Sequence, residues 1–209
     1  MIIAVDGPAA SGKGTIAKAL ARHFQLPHLD TGLLYRAVAL NLLRWGGEPE
    51  SEFAALRACD FAQISFEDPE LKTEAVGGLA SRISAYPLVR AALIDRQRAF
   101  AHQGGGAVLD GRDIGTVIAP DATVKLFVTA RVEVRAKRRS EELARLGRTA
   151  SYQDVLIDLQ ARDARDLERT AAPLRMADDA ILLDTSDMSI DAAVQRAIAL
   201  AEAQVERSA

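Results

Sequence analysis

The sequence predicts an α/β fold, a five-stranded parallel sheet flanked by helices. Five short apolar runs recur along the chain, at Ile2–Val5, Pro27–Leu29, Ala107–Leu109, Thr123–Val128 and Ala180–Leu183, each the length of a buried strand. Segments with apolar residues at helical spacing separate them, so strands and helices alternate as in βαβ units. A length of 209 residues suits a single domain carrying insertions better than two domains.

Each element has its own local reason. The first run stops at Asp6-Gly7, and Ile16, Leu20 and Phe24 then mark one face of a helix over Gly14–Phe24. After the second run, Asp30-Thr31-Gly32 reads as a helix start. The helix presents Tyr35, Val38, Leu42 and Trp45 and ends at Gly46-Gly47. Residues 50–84 are weakly patterned, with short helices and an extended Gln63–Phe66. Pro87 opens a helix to about His102, which Gly104-Gly105-Gly106 stops. Arg131–Leu146 and Ser151–Arg169 are polar, Arg-rich helices joined at Gly147, and Ile190–Val205 closes the chain as an amphipathic helix. The single domain, 1–209, thus divides into a core (1–49, 87–146 and 176–209) and two insertions, 50–86 and 147–175.

Composition narrows the function. Hydrophobic residues at 49% and charged residues at 26% are near the globular average and exclude a disordered chain. The lone Cys59 excludes a disulfide framework and a Cys-based zinc site, and suits a reducing compartment. No apolar run approaches membrane-span length, and no basic stretch precedes Ile2 as in a secretory signal, so a cytoplasmic protein is expected. A net charge of −3 argues against general binding to nucleic acid or membrane. Within that balance, 21 of the 26 basic residues are Arg and five are Lys. Genome composition explains such a bias by default, and what matters is where the Arg sit.

The segment Gly7-Pro8-Ala9-Ala10-Ser11-Gly12-Lys13-Gly14-Thr15 lies between the first strand and the first helix. Such a loop aims backbone N–H groups and a helix N-terminus at one point, where phosphate oxygens fit. Lys13 can reach the β- and γ-phosphates of a nucleoside triphosphate, and Thr15 the phosphates or Mg²⁺. The strict G-x4-G-K-[ST] pattern is not met, because Gly14 holds the Ser/Thr slot; a G-K-G-T ending is that of nucleoside monophosphate kinases. A GTPase needs Asn-Lys-x-Asp, yet the one Asn, Asn41, precedes Leu42. Asp110, at the end of the third run, stands where a parallel sheet binds ligands and can hold Mg²⁺ through water.

Two further motifs sit at strand ends, Leu29-Asp30-Thr31-Gly32-Leu33-Leu34-Tyr35-Arg36 and Leu109-Asp110-Gly111-Arg112-Asp113-Ile114-Gly115-Thr116. N-caps and turns explain Asp30 or Thr31, but neither Arg. In a third cluster, helical spacing puts Arg162, Arg165, Asp166 and Arg169 on one face. A solvated helix laced with i,i+4 ion pairs explains that cluster from pattern alone. His23, His28 and His102 are scattered and read as structural or surface residues.

Together, in this order, these motifs resemble the bacterial cytidylate kinase family, over Ile2 to about Ala203. The resemblance implies a P-loop fold of the nucleoside monophosphate kinase type, with 50–86 as acceptor-binding insertion and 147–175 as a helical lid. It implies transfer of the γ-phosphoryl group of ATP to CMP or dCMP, with Mg²⁺. Position by position, it puts Thr31, Tyr35 and Arg36 at the acceptor nucleotide, with Arg36 on its phosphate. Ser81 and Arg90 match residues that recognise the cytosine ring, and Asp113 the acid that accepts from its 4-amino group. Arg112 faces the phosphates, Arg162 and Arg169 match phosphate-binding arginines, and Asp166 the carboxylate on the ribose hydroxyls. Lys13, Arg112, Arg162 and Arg169 are then the catalytic set. Arg135, Arg139 and Arg148 fall in and beside the lid and can meet ATP. An inserted β-hairpin usual in the family has no counterpart around Ile64–Asp68.

Nucleotide phosphates are also the chemistry that Arg suits, through its planar fork and permanent charge. The expected partners are small-molecule nucleotides, with no nucleic acid and no membrane, and the expected state is a monomer. A hydroxyl-phosphorylating kinase of the shikimate kinase kind is the first rival; Gly104-Gly105-Gly106 precede a strand and lie on the wrong side of the sheet for it. A nucleic-acid-binding module is disfavoured by interleaved acids and an aromatic content of 5%.

Overall fold

The computed structural model describes residues 1–208. Its five strands are β1 (Ile2–Asp6), β2 (His28–Asp30), β3 (Ala107–Gly111), β4 (Val124–Thr129) and β5 (Ile181–Asp184). They pair in parallel in the order β2-β3-β1-β4-β5, as a doubly wound sheet with β1 at its centre. Ile3, Val5, Val124, Leu126, Val128 and Leu183 face α1 (Lys13–His23) and α8 (Ile190–Ser208). Ala4, Ala107 and Leu109 face the other side, covered by α5 (Pro87–Ala101) and a π-helical turn at Ile114–Ile118. Burial on both faces is why the strands read as unbroken apolar runs.

The strands differ at their ends from the apolar runs. β1 takes in Asp6, β2 shifts by one to end at Asp30, and β3 runs on through Asp110 to Gly111. The register pairs Asp6 with Gly111 and Asp30 with Asp110. A parallel ladder joins backbones whatever their side chains, so it continues past the point where hydrophobicity stops. The strand ends that carry the polar motifs are thereby fixed to one another.

Helix α2 (Thr31–Trp45) is apolar on nearly all sides because it is wrapped by the insertion. There, α3 (Glu52–Arg57), the turns that follow it, a 3₁₀ turn at Pro69–Lys72 and α4 (Glu74–Ile83) pack Ala55, Phe61, Ile64, Leu71, Leu79 and Ile83 into one cluster with Val38 and Leu42. The extended Gln63–Phe66 of the sequence reading is absent. The stretch turns instead, with the Ile64 N–H donating to Phe61 O at 2.9 Å and the Asp68 N–H to Ser65 O at 3.1 Å. Among the described residues no strand lies between Trp45 and Ala107, so Gln63–Phe66 has no partner backbone. Ile64 and Phe61 are satisfied by burial in the insertion core.

Helices α6 (Val132–Arg145) and α7 (Tyr152–Glu168) pack through Ala136, Leu143, Val155 and Leu159, which also meet Ala9 of the phosphate loop. α7 ends one residue before Arg169, which leaves the helix with extended backbone. Among the described residues no helix is long and apolar enough to cross a membrane.

Candidate active site

The phosphate loop follows β1 at the centre of the sheet. Gly7, at φ +152°, passes so close to β4 that a Cβ there would lie 2.0 Å from Val128 O. Gly12 takes the left-handed conformation and starts α1 with no side chain capping it. Those N–H groups therefore open into the cleft, where an anion can accept from them. Lys13 folds over the loop, its Nζ 3.3 Å from Pro8 O. Burial, reinforced by Arg112, lowers its pKa to about 8 against the pull of Asp110 and Asp30. Ser11 Oγ is buried without a hydrogen-bond partner.

The acceptor motifs converge beside it. Asp30 caps α2 by accepting from the Gly32 N–H at 2.9 Å, and the Thr31 hydroxyl donates to Asp110 O at 2.9 Å. Burial, together with Asp110, raises the Asp30 carboxyl. Arg36, one turn further along α2, donates to Leu71 O at 2.6 Å and lies against Gly77. Asp113 sits between two arginines, ion-paired closely with Arg90 and at 3.5 Å with Arg169. Arg90 also donates to the Tyr35 hydroxyl at 3.3 Å. Arg112 Nε donates to Asp166 Oδ2 at 2.6 Å. All four of Asp113, Arg90, Arg169 and Asp166 are buried.

Every residue expected at the site from Ala9 to Arg169 lines one cleft of about 680 Å³. Gly7 and Pro8 alone lie behind it, shaping the loop. Arg162, Asp166 and Arg169 all reach this cleft, so the third cluster is not simply a solvated face, although Arg162 does pair with Asp158 at 2.8 Å. The angle there is wrong for a hydrogen bond, and Arg162 Nε is left without one. Arg169 is placed with Asp113 and Ser84 rather than among phosphate-facing arginines alone. Ser81 Oγ accepts from Arg165 Nε at 3.3 Å. Asp110 points Oδ1 at His28 Nε2, 2.7 Å away, while Oδ2 faces the start of α1 near Gly14. His28 thus has a buried partner, whereas His23 and His102 pair with Glu202 and Asp121 at the surface.

Among the other arginines considered, Arg135 is fully engaged. It donates to Ala130 O at 2.8 Å and Ala9 O at 3.1 Å, and holds Asp163 at 2.5 Å. It ties α6, α7 and the phosphate loop together and does not itself line the cleft. Arg139 lines the cleft, and Arg148 reaches Lys72 O at 2.9 Å.

Sequence reasoning missed Asp6 and Glu74. Asp6 accepts from the Ile114 and Gly115 N–H groups, both at 2.8 Å, and so sets the turn that aims Asp113. Burial raises its pKa to about 6, although both backbone donors and Lys13 act the other way. An acid at a strand end just before the phosphate loop is the signal that was available for it. For Glu74, alone in a weakly patterned stretch, there was none.

The cytidylate kinase family description matches residues 3–203. Cytidylate kinase of Azorhizobium caulinodans is 57% identical over 203 residues, covering 97% of this chain and 98% of that protein. Coverage so complete leaves no room there for the inserted hairpin that this chain lacks. Cytidylate kinase of Cereibacter sphaeroides is 57% identical over 196 residues, covering 94% of this chain and 92% of that protein. An uncharacterized protein from Eubacterium ventriosum has a similar fold, with a TM-score of 0.59 at 19% identity over 97% of this chain and 98% of its own. With the family match running through all four motifs that line the cleft, the chain belongs to the cytidylate kinase family.

Proposed function

We propose that the protein transfers the γ-phosphoryl group of ATP to CMP or dCMP, giving ADP and CDP or dCDP. The observation that carries this reading is the shared cleft: a phosphate loop, an Arg-rich helix and the buried Asp113 between Arg90 and Arg169 line a single space. A buried hydroxyl without a hydrogen-bond partner, Ser11 Oγ, fits a polar ligand there.

The base-recognition step follows from donor and acceptor chemistry. Cytosine presents a 4-amino donor, which a carboxylate such as Asp113 accepts; uracil presents a carbonyl there and meets repulsion. Arg90 and Arg169 hold the carboxylate in place and leave it acceptor capacity, since each oxygen has two lone-pair sites. Asp166 takes the ribose hydroxyls, while Arg36, Arg112 and Arg162 take phosphates. The attacking group is a phosphate oxygen already ionised at neutral pH, so no general base is needed. Catalysis rests on in-line positioning and on Lys13 and the arginines spreading over the transferred charge.

Mg²⁺ keeps several waters and takes few protein oxygens in nucleotide sites. Thr15 and Asp110 Oδ2, both at the cleft, suit that demand; among the described residues there is no three-member cluster of His, Cys, Asp or Glu. Mg²⁺ bound with ATP would offset phosphate charge. A lid built on α7 and closed over ATP keeps water from the γ-phosphoryl group. We place the protein in the cytoplasm, acting as a monomer on free nucleotides.

The test measures ADP release from ATP-Mg²⁺ with CMP, dCMP, UMP, AMP, dTMP and shikimate as separate acceptors. CMP or dCMP should be clearly preferred. Preference for UMP, AMP or shikimate would overturn the reading.

A further inference from the structure

Glu74 is the carboxylate on which the insertion and the lid meet. It is the first residue of α4, behind Thr73, whose hydroxyl accepts from the Val76 N–H at 3.4 Å. Its Oε1 accepts from Arg139 Nη2 of α6, and its Oε2 from Arg162 Nη2 of α7 at 3.1 Å. Glu142 holds Arg139 from the same helix at 2.8 Å. Nearby, Arg148 donates to Lys72 O at 2.9 Å. Arg165 of α7 reaches Ser81 further along α4. Partial burial alone would raise the Glu74 carboxyl, but Arg139, Arg162 and Arg36 hold it below the usual carboxylate range.

We infer that Glu74 is a positioning residue that couples lid to insertion, so that ATP and the acceptor nucleotide each tighten the binding of the other. This rests on the kinase reading of the cleft. The N-terminus of α4 favours an anion at Glu74, and a fixed anion there orients two long, flexible arginines from two different helices. Glu74 contacts each guanidinium through one Nη and Asp158 lies 2.8 Å from Arg162 Nε, which leaves Nη1 of Arg162 for phosphate. Moving the insertion onto the acceptor moves the carboxylate, and with it α6 and the lid helix α7. By linkage, whatever the acceptor adds to ATP affinity, ATP adds to acceptor affinity.

The experiment compares wild type, Glu74→Gln and Glu74→Asp. Titration calorimetry measures a non-hydrolysable ATP analogue with Mg²⁺, with and without CMP, and hydrogen exchange follows α7 without nucleotide. Glu74→Gln should leave affinity for the analogue alone within about twofold and cut its enhancement by CMP about three- to tenfold. It should also speed exchange in 152–168, and Glu74→Asp, which keeps the charge, should restore part of both effects. If Glu74→Gln tightens either nucleotide alone, the carboxylate is a competing anion and the inference fails. It also fails if wild type shows no mutual enhancement, or if exchange is unchanged by the substitution. Wild type that binds neither nucleotide would instead sink the kinase reading, and the nucleotide-free exchange would still decide whether Glu74 holds the lid. Thermal unfolding of each variant separates these effects from loss of fold.

Discussion

At Asp113, one carboxylate between two arginines is asked to distinguish an amino group from a carbonyl. A charge-assisted hydrogen bond of about 1.5–3 kcal/mol corresponds to roughly 10–150-fold discrimination. Asp113→Ala should therefore lose CMP-over-UMP preference, read as the ratio of kcat/KM values, more than it loses ATP binding; equal losses would remove Asp113 from base reading. Lys13 makes a prediction of a different kind. Its folded pKa of about 8 lies below the free value of 10.5, so above pH 8 the nucleotide-free side chain gives up its proton. Bound phosphates favour the charged form and pull the proton back. Nucleotide binding at pH 9 should take up a proton, measured by calorimetry in buffers of different ionisation enthalpy. Nucleotide phosphates are already fully ionised there, so Lys13→Met should abolish the uptake. Below pH 7 wild type should show none from this group.

At the level of elements, the turn after β3 is held by β1 through one carboxylate. Asp6→Asn keeps one acceptor and turns an NH₂ toward a backbone N–H, at a cost of about 1–3 kcal/mol. It should lower the thermal midpoint and raise KM for CMP, through the displaced Asp113, more than KM for ATP. The pH dependence has a definite sign. The folded pKa of about 6 exceeds the unfolded value of 3.8, so the stabilisation linked to this group is fully present below about pH 4. It is lost as pH rises through 6. That slope between pH 4 and 6 should flatten in Asp6→Asn, and an unchanged slope would show that Asp6 does not titrate there. The same dependence on cross-element contacts explains why the strand motifs were readable and the role of Asp6 was not. Gly7 to Thr15 carries its chemistry in adjacent residues, whereas Asp6 acts on Ile114 and Gly115, more than a hundred positions away.

For the whole molecule, the question is how lid and core act together. Arg135 fastens α6 and the lid helix α7 to the phosphate loop through Asp163, Ala130 and Ala9. Arg135→Ala leaves Asp163 without its partner and unties the lid from the loop. ATP hydrolysis without acceptor should then rise several-fold relative to CDP formation, measured as ADP released against CDP formed. A matched fall in both would mean that Arg135 supports the fold rather than water exclusion. Net charge is equally a whole-molecule property. At −3 it is an average that disfavours anionic partners, yet Arg36, Arg90, Arg112, Arg162 and Arg169 line one cleft.

The α/β class, the parallel strands, the phosphate loop and the four motifs were legible in the chain itself, because apolar periodicity and contiguous motifs are local properties. The helical face of Arg162, Asp166 and Arg169 was legible as spacing, but spacing is the same for a solvated helix and for a wall of the cleft. Only packing of α7 against α4 and the phosphate loop separated the two. The turning of Gln63–Phe66, the clamp at Arg135, the pairing of Asp110 with His28 and the bridge at Glu74 were likewise settled by the tertiary structure. Each depends on what a residue meets from a distant part of the chain, and the free energy of such a contact is absent until the chain has folded to make it.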